Sequence, residues 1–537
     1  MSSKRPFDDD SSLHSIDTGD TAGDSVDVEN VVNAGKKILD GMVGQKVLEY
    51  VFKKKYQVIT LGAKTAVKTH TESVLIDPQL LFQRLVTAGT HRGALNEVFT
   101  CELCSYPPAL FGTTNVLLAP DKPTLTDAMW KQLPDASRTS SLPNDVQYVR
   151  DGGALLHRIP WNGGETYDAI CSRYVQYVAG KYDPAIIVFD GYEGGPSTKD
   201  VTHGKRTKSS ISAPVHFTRE MVCPLKREDF LANKTNKQRF INLLSDHFEQ
   251  HGTEVLHAEA DAHVLMVQTT IASADRKNTV LIGDDTDLLV LLCSQASETS
   301  FDIYFRPQPK LNSKKTPRCW NIKLVQAALG KDICDNLLFA HAILGCDTTS
   351  RLFGIGKPVA LKKLKSSEHF RQQASVFKHP CATHDDIVTA GENALVCLYN
   401  GKPGDRLDAL RLQCFHQKVS SSTTCVKPRN LPPTSSAAQY HSQHVYHQVQ
   451  QWSGVDMCAG DWGWKISDGK MFPVHTNLKP SPEYLLEAIN CSCKTDCTGR
   501  CGCVKYGLQC SPACMECKGL HCSNVTLPDP ESDADDM

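Results

Sequence analysis

Short apolar runs that end in acidic residues, spaced by stretches with helical periodicity, constrain this chain most. PAIIVFDGY (184–192) is such a run ending in Asp-Gly, which suits a buried parallel strand with a functional loop after it. KQRFINLLSDHFEQHG has helical spacing and closes on Gly252, a C-cap signal. EVLHA then reads as a strand, EADAHVLMVQTTIA as a helix, and NTVLIGDDTDLLVLLC as a buried strand followed by a second apolar stretch. Upstream, YQVITLGAKTAV reads as a strand or hairpin, and ESVLIDPQLLFQRLV as a strand running into a helix. The alternation predicts an α/β fold with a mainly parallel central sheet flanked by helices.

The chain has 537 residues, more than one ordinary domain needs. No apolar run approaches the roughly 18 residues of a membrane span, and MSSKRPFDDD lacks the apolar core of a signal peptide. The expectation is therefore an intracellular protein. The formal charge of −2 hides an asymmetry. Residues 1–29 carry net −6 and residues 525–537 net −5, which leaves a basic body compatible with a nucleic-acid partner. The expected organisation is a disordered acidic tail over 1–34 and an α/β domain over 35–418. A Ser/Thr/Pro-rich linker with a short helix follows over 419–484, then a cysteine-rich module over 485–525 and an acidic tail over 526–537.

Several carboxylates fall where apolar strands end. They are Asp77 in LID, Asp190 in VFD, Glu259 and Asp261 in AEADA, and Asp285 and Asp287 in GDDTD; Asp347 follows in ILGCDTTS. Parallel α/β sheets build their sites at the carboxyl ends of strands. Acids gathered there repel one another unless cations neutralise them, and a hard, oxygen-loving Mg²⁺ or Mn²⁺ is the natural partner. Two such ions about 4 Å apart can hold a phosphodiester and stabilise the leaving oxygen.

This ordered set resembles the flap endonuclease/XPG superfamily of structure-specific nucleases, related to PIN domains. VFDG resembles the end of the family's N-terminal block, EADA and GDDTDLL its internal block, and LGCDTTSRLFGIGKPVALKKL the acid and helix-two-turn-helix that follow. The resemblance covers about residues 70–370. It implies that all seven acids face metal, two ions in the family's manner, and that the element at about 345–366 grips duplex DNA, often with a K⁺ ion. On physical grounds, Gly354 and Gly356 permit a tight turn whose N–H groups approach a phosphate, with Lys357 adding charge. The segment STKDVTHGKRTKSS matches the family's mobile arch. There Lys199 and Arg206 would contact the scissile phosphate as catalytic cations. The sequence departs from the family in the long stretch before Asp77 and in the inserted C-E-L-C (Cys101, Cys104), read as buried thiols rather than a zinc site.

Nine of the 22 cysteines cluster as C-x-C-x3-C-x3-C-x-C-x6-C-x3-C-x2-C-x4-C, namely Cys491, Cys493, Cys497, Cys501, Cys503, Cys510, Cys514, Cys517 and Cys522. Thiolates at these spacings wrap Zn²⁺ tetrahedrally, and nine would hold three ions if three thiolates bridge. The pattern resembles the tesmin-type CXC domain, which binds three zincs and DNA. The resemblance implies DNA contact here, with Arg500 before the C-x-C pair and Tyr506 as candidate groups. His441, His444 and His447 share a helical face at i, i+3, i+6 and read as a polar helix face rather than a three-His metal site.

The expectation is thus a Mg²⁺-dependent endonuclease acting on branched or single-strand-bearing DNA, tethered by a zinc module, nuclear and without a membrane partner. The alternatives are a non-catalytic DNA- or chromatin-binding protein on the same fold, and an RNA-directed PIN-like nuclease.

Overall fold

The computed structural model describes residues 31–44, 65–68, 73–112, 116–134, 142–191, 195–199, 213–259, 261–308, 318–421, 425–520 and 522–525. The chain divides into two compact units. One comprises Asn96–Glu102 and Tyr106–Lys479; the other comprises Met1–Leu95, Leu103–Ser105 and Pro480–Met537.

Strands are numbered in chain order: β1 (Thr65–Lys68), β2 (Ser73–Ile76), β3 (Gln147–Asp151), β4 (Ala185–Phe189), β5 (Glu254–His257), β6 (Thr279–Ile282), β7 (Ile303–Arg306) and β8 (Trp320–Asn321). The larger unit is built on a six-stranded sheet in the order β5-β4-β3-β6-β7-β8. Its pairings are parallel except the last, β7 with β8. Parallel strands need long crossovers, and helices supply them: Tyr167–Ala179, Lys234–Gln250, His263–Ser273 and Thr286–Gln295.

Alternation along the strands divides the core. Val149, Val188, Leu281 and Phe305 join one cluster with Leu288–Cys293, while Ile187 and Phe189 join another with Tyr174, Phe240 and Phe248. Each such fully buried aliphatic or aromatic side chain contributes on the order of 1.5–3 kcal/mol. The mainly parallel α/β sheet expected from the sequence is present.

The order 5-4-3-6 fixes where a site can form. From β3 the chain builds outward through β4 to β5, then returns to the other flank of β3 as β6. The crossovers therefore leave in opposite directions beside β3 and β6, and a crevice opens at the carboxyl ends of those strands.

The expected linker over 419–484 is a correction. Ser435–Trp452 is an 18-residue helix capped by Thr434, whose hydroxyl accepts from Ala437 N. It packs in the main core through Ala438, Val445, Tyr446 and Val449. Gly391 on the helix His384–Leu398 lets the two helices approach: a Cβ there would stand 1.9 Å from Ser442 Oγ. His441, His444 and His447 are buried rather than solvated, each at 2 % exposure or less. Their Nε2 atoms meet the carbonyls of Ile343 (2.9 Å), Gly463 (2.7 Å) and Met457 (3.3 Å).

In the smaller unit, β1 and β2 form an antiparallel hairpin that leads into the helix Pro78–His91. Val31–Met42 is helical, so helix begins inside the expected tail of 1–34. The stretches 1–30 and 526–537 lie outside the described residues. No helix among the described residues is long and apolar enough to cross a membrane.

Candidate metal and nuclease site

Asp-Gly recurs at two neighbouring strand ends for a steric reason. After β3, a Cβ on Gly152 would lie 2.4 Å from the Phe189 ring; after β4, one on Gly191 would lie 2.3 Å from the Glu259 carbonyl oxygen. Only glycine lets the chain turn this tightly against its neighbour. The turns set Asp151 and Asp190 side by side, since Asp151 Oδ1 and Asp190 Oδ2 stand 3.2 and 3.3 Å from the position a Gly153 Cβ would take. Asp151 also caps the following helical turn through Ala154 N, and Asp190 accepts from Ala262 N (2.9 Å) beyond β5.

Beyond β6, Asp285 caps the helix Thr286–Gln295 by accepting from Asp287 N. Asp287 lies in that helix's first turn, and Asp347 arrives from the buried loop after the helix Leu337–Ile343. Asp285, Asp287 and Asp347 each offer an oxygen within 4.8 Å of the others. The Lys122 ammonium stands among them, 3.0 Å from Asp285, 3.1 Å from Asp287 and 3.2 Å from Asp347. His263 bridges Asp261 (3.1 Å) and Asp285 (3.6 Å), and Lys199 meets Asp261 at 2.9 Å. Glu259 is exposed after β5.

The electrostatics follow from this crowding. Burial and the charges of Asp190 and Asp285 push the Asp151 carboxyl up to about 6, although the Ala154 N–H opposes them. Burial would pull His263 down, but Asp261 outweighs it and raises the imidazole to about 10. Asp261 is held well below the carboxylate range despite its own burial, by His263 and Lys199.

A buried relay supports Asp287. His341 Nε2 donates to Asp287 Oδ1 at 2.7 Å. The Lys357 ammonium donates to His341 Nδ1 (3.1 Å), to His341 O (2.7 Å) and to Gly345 O. Burial and the Lys357 charge lower His341 to about 4, so the ring is neutral and carries its proton on Nε2.

Two assignments read from the sequence change. Asp77 belongs to the smaller unit, where its carboxylate accepts from Gln79 N (2.9 Å) and Leu80 N (3.0 Å) as the N-cap of Pro78–His91. The strand-end acid that joins Asp190 is Asp151. Lys357 is 2 % exposed, with all three ammonium protons engaged internally, so it is not a phosphate contact. Gly354, at φ +76°, and Gly356 are exposed on the turn before the helix Lys357–Ser366, with Lys362 and Lys365 also exposed. Arg206 lies outside the described residues. Asp151, Lys122, His263 and His341 were missed from sequence. Only Asp151 carried a signal, the same Asp-Gly pair as Asp190-Gly191.

In the smaller unit the cysteines converge. The sets Cys491/Cys503/Cys510/Cys514, Cys491/Cys497/Cys501/Cys510 and Cys497/Cys510/Cys517/Cys522 each gather four sulfurs within 4.8 Å. Cys493 belongs to none of these sets but shares a hydrogen bond with Cys501. All-sulfur groups of four suit Zn²⁺. Arg84, buried on Pro78–His91, donates to Cys503 Sγ (3.0 Å), Gln509 O (2.7 Å) and Ala488 O (3.2 Å). Tyr506 is 7 % exposed, beneath the Arg92 guanidinium at 4.7 Å and bonded to Tyr484 O, so it is packed rather than presented. Arg500 is exposed. Cys104 is a fully buried thiol.

Residues 1–102 match the family described as "Domain of unknown function (DUF8702)". No curated protein matches the chain. Among solved structures, the chain is similar to the catalytic core of Rad2 at 12% identity, over 68% of this chain and 92% of that one, with a TM-score of 0.32. It is similar to flap endonuclease-1 from Methanococcus jannaschii at 16% identity, over 57% and 93%, with a TM-score of 0.27. It is also similar to human GEN1, solved in complex with Holliday junction DNA, at 12% identity over 60% and 80%, with a TM-score of 0.28.

Proposed function

We propose that the larger unit is a Mg²⁺- or Mn²⁺-dependent nuclease that hydrolyses phosphodiesters in branched or single-strand-bearing DNA, and that the cysteine module binds zinc and tethers the chain to DNA. The observation that carries this reading is the gathering of Asp151, Asp190, Asp261, Asp285, Asp287 and Asp347 around the switch point of the sheet. The donor set is all oxygen, with Asp287 and Asp347 buried and the other four acids half-buried, and it already attracts an ammonium, so it fits a hard cation. A divalent ion held there supplies charge stabilisation to phosphoryl oxygens and a more acidic water.

The chain's own groups do the rest. Asp151 and Asp190 form one wall, and Asp285, Asp287 and Asp347 the other. His341, fixed by Lys357, holds the Asp287 carboxylate in one orientation. Lys199, on the stretch entering the site, places a cation at the Asp261 edge, where phosphoryl charge would develop. The exposed turn at Gly354 and Gly356, with Lys362 and Lys365, would grip the duplex backbone without reading sequence. Three zinc ions on nine thiolates, Cys493 completing the sets, would shape the tether, with exposed Arg500 facing DNA. Joining two DNA-binding units makes the second encounter intramolecular. A DNA substrate and this module also favour a nuclear location.

The test pairs Asp285→Asn with Asp287→Asn. Cleavage should disappear while DNA affinity, read by anisotropy, stays within about threefold. Equal cleavage by wild type and variant would sink the assignment.

A further inference from the structure

The helix Ser435–Trp452 carries no acid, yet it touches the support of each carboxylate in the Asp285/Asp287/Asp347 cluster. Gln448, buried on that helix, accepts through Oε1 from the hydroxyl of Thr348, the residue next to Asp347. His441 on the same helix meets the Ile343 carbonyl at 2.9 Å, at the end of the helix Leu337–Ile343 that leads into the Asp347 loop. The Trp452 ring packs against His341, with centroids 5.7 Å apart, and His341 holds Asp287. The Trp452 carbonyl accepts from Gln295 Nε2 at 2.5 Å, at the last residue of the helix that Asp285 caps.

The Asp347 loop depends on contacts of this kind. Residues 344–352 form neither helix nor strand, and all but Arg351 are buried. Gly345 turns the chain there at φ +97°, where a Cβ would stand 2.7 Å from Arg351 N. With no ladder of backbone hydrogen bonds, side-chain hydroxyls hold the loop: Thr349 donates to Ala342 O at 2.6 Å and Ser350 donates to Leu110 O. The Thr348 hydroxyl is the one of the three that reaches the helix Ser435–Trp452. Gln450, also buried on that helix, makes a useful contrast. It donates to Phe377 O at 2.8 Å, just past the helix Glu368–Val376, which bears none of the site's acids.

We propose, resting on the metal-dependent reading above, that Gln448 is a positioning residue of the metal site, fixing Asp347 through Thr348, and that the helix Ser435–Trp452 is part of the site's framework. Without the Gln448 acceptor, the buried Thr348 hydroxyl is left unpaired, and a buried donor without a partner is costly enough to make the chain shift towards another acceptor. Asp347, one residue away, shifts with it and leaves its spacing from Asp285 and Asp287. A Mg²⁺ ion needs its oxygens at about 2.0–2.1 Å in near-ideal geometry, so it senses a small displacement of one carboxylate. Partners that orient a metal ligand in this way are typically worth about 10–100-fold in metal affinity.

The experiment titrates Mn²⁺ into full-length, zinc-loaded protein and reads the free ion by electron paramagnetic resonance, in wild type, Gln448→Leu, Thr348→Val, Thr348→Ser and Gln450→Leu. The Mn²⁺ dissociation constant should rise about 10–100-fold in Gln448→Leu and Thr348→Val. It should stay within about threefold of wild type in Thr348→Ser, which keeps the hydroxyl, and in Gln450→Leu, which loses a buried hydrogen bond of the same helix but no contact to the Asp347 loop. Wild-type affinity in a folded Gln448→Leu would overturn the role of Gln448 while leaving the metal-dependent reading standing. An equal loss in Gln450→Leu would overturn it as well, since affinity would then follow the stability of the helix and not the Thr348 contact. No Mn²⁺ bound by wild type would overturn both readings. If Gln448→Leu fails to fold by circular dichroism, the Thr348 pair decides: Thr348→Val and Thr348→Ser binding Mn²⁺ alike refutes the proposal.

Discussion

Acidification should destabilise the larger unit through the helix Ser435–Trp452, by an amount the structure sets. His441 and His444 are buried with Nε2 committed to the Ile343 and Gly463 carbonyls. Burial lowers them to about 4 and about 3, against the partial support of those carbonyls. The unfolded chain titrates its histidines near 6.5. Above that value both states are neutral and nothing is lost. As pH falls below it, the unfolded state takes up protons that the folded state refuses, and stability drops until the folded values are reached. At pH 5 each histidine therefore costs about 2 kcal/mol relative to pH 7, and the pair about 4 kcal/mol, a large share of the ~5–15 kcal/mol typical of a domain. The assay is urea unfolding at pH 7 and pH 5, followed by tryptophan fluorescence. All six tryptophans lie between Trp130 and Trp464, so the signal reports this unit and not the cysteine module. His444→Gln keeps an Nε2 donor and removes the titration. It should shrink the difference between the two pH values by about 2 kcal/mol. An unchanged difference in the folded variant would refute the reasoning.

Other outcomes follow from single contacts. Gly391→Ala forces a methyl against Ser442 and should cost about 1–3 kcal/mol, seen as an earlier urea midpoint; an unchanged midpoint would show that the two helices part freely. Purified protein should carry about three zincs by elemental analysis, all lost on truncation before Cys491. Arg84→Met, which removes a guanidinium from Cys503, should release zinc to a chelator at roughly 10–100-fold lower chelator concentration. Retention as in wild type would show that Arg84 only packs.

The strand ends were the legible part of this sequence. Asp190, Glu259, Asp261, Asp285 and Asp287 follow β4, β5 and β6, where apolar runs stop, because a buried parallel strand must be apolar on both faces until it meets solvent. β3 hid from the same reasoning. Its run QYVRD is broken by Arg150, which is buried between the Tyr177 and Tyr182 rings and donates to Gln308, so a central strand reads as polar and Asp151 goes unnoticed. Asp77 does end a strand, but that strand, β2, pairs only with β1 and not in the central sheet, and the next residue is Pro78. Asp followed by Pro is a helix start, the acid capping and the proline taking the first turn. The burial of the helix Ser435–Trp452 was concealed by its composition, since its His and Gln side chains are buried through hydrogen bonds to distant carbonyls, as with Gln450 to Phe377 O. Lys357 was misread because a lysine after Gly-x-Gly suggests phosphate contact, whereas here it is drawn inward by the Gly345 and His341 carbonyls. Lys122 and His263 could not be read at all, because their roles exist only once distant segments meet.

One measurement separates these accounts of the site most directly: cleavage of a labelled panel of flap, bubble, single-stranded and duplex DNA in Mg²⁺ by wild type, Asp151→Asn and Asp77→Asn. If the site is built on the β3–β6 switch point, wild type and Asp77→Asn cleave alike, since Asn caps the helix about as well as Asp, while Asp151→Asn is inactive. Activity retained by Asp151→Asn and lost by Asp77→Asn would contradict the account, as would a wild type that binds the panel and cleaves none of it.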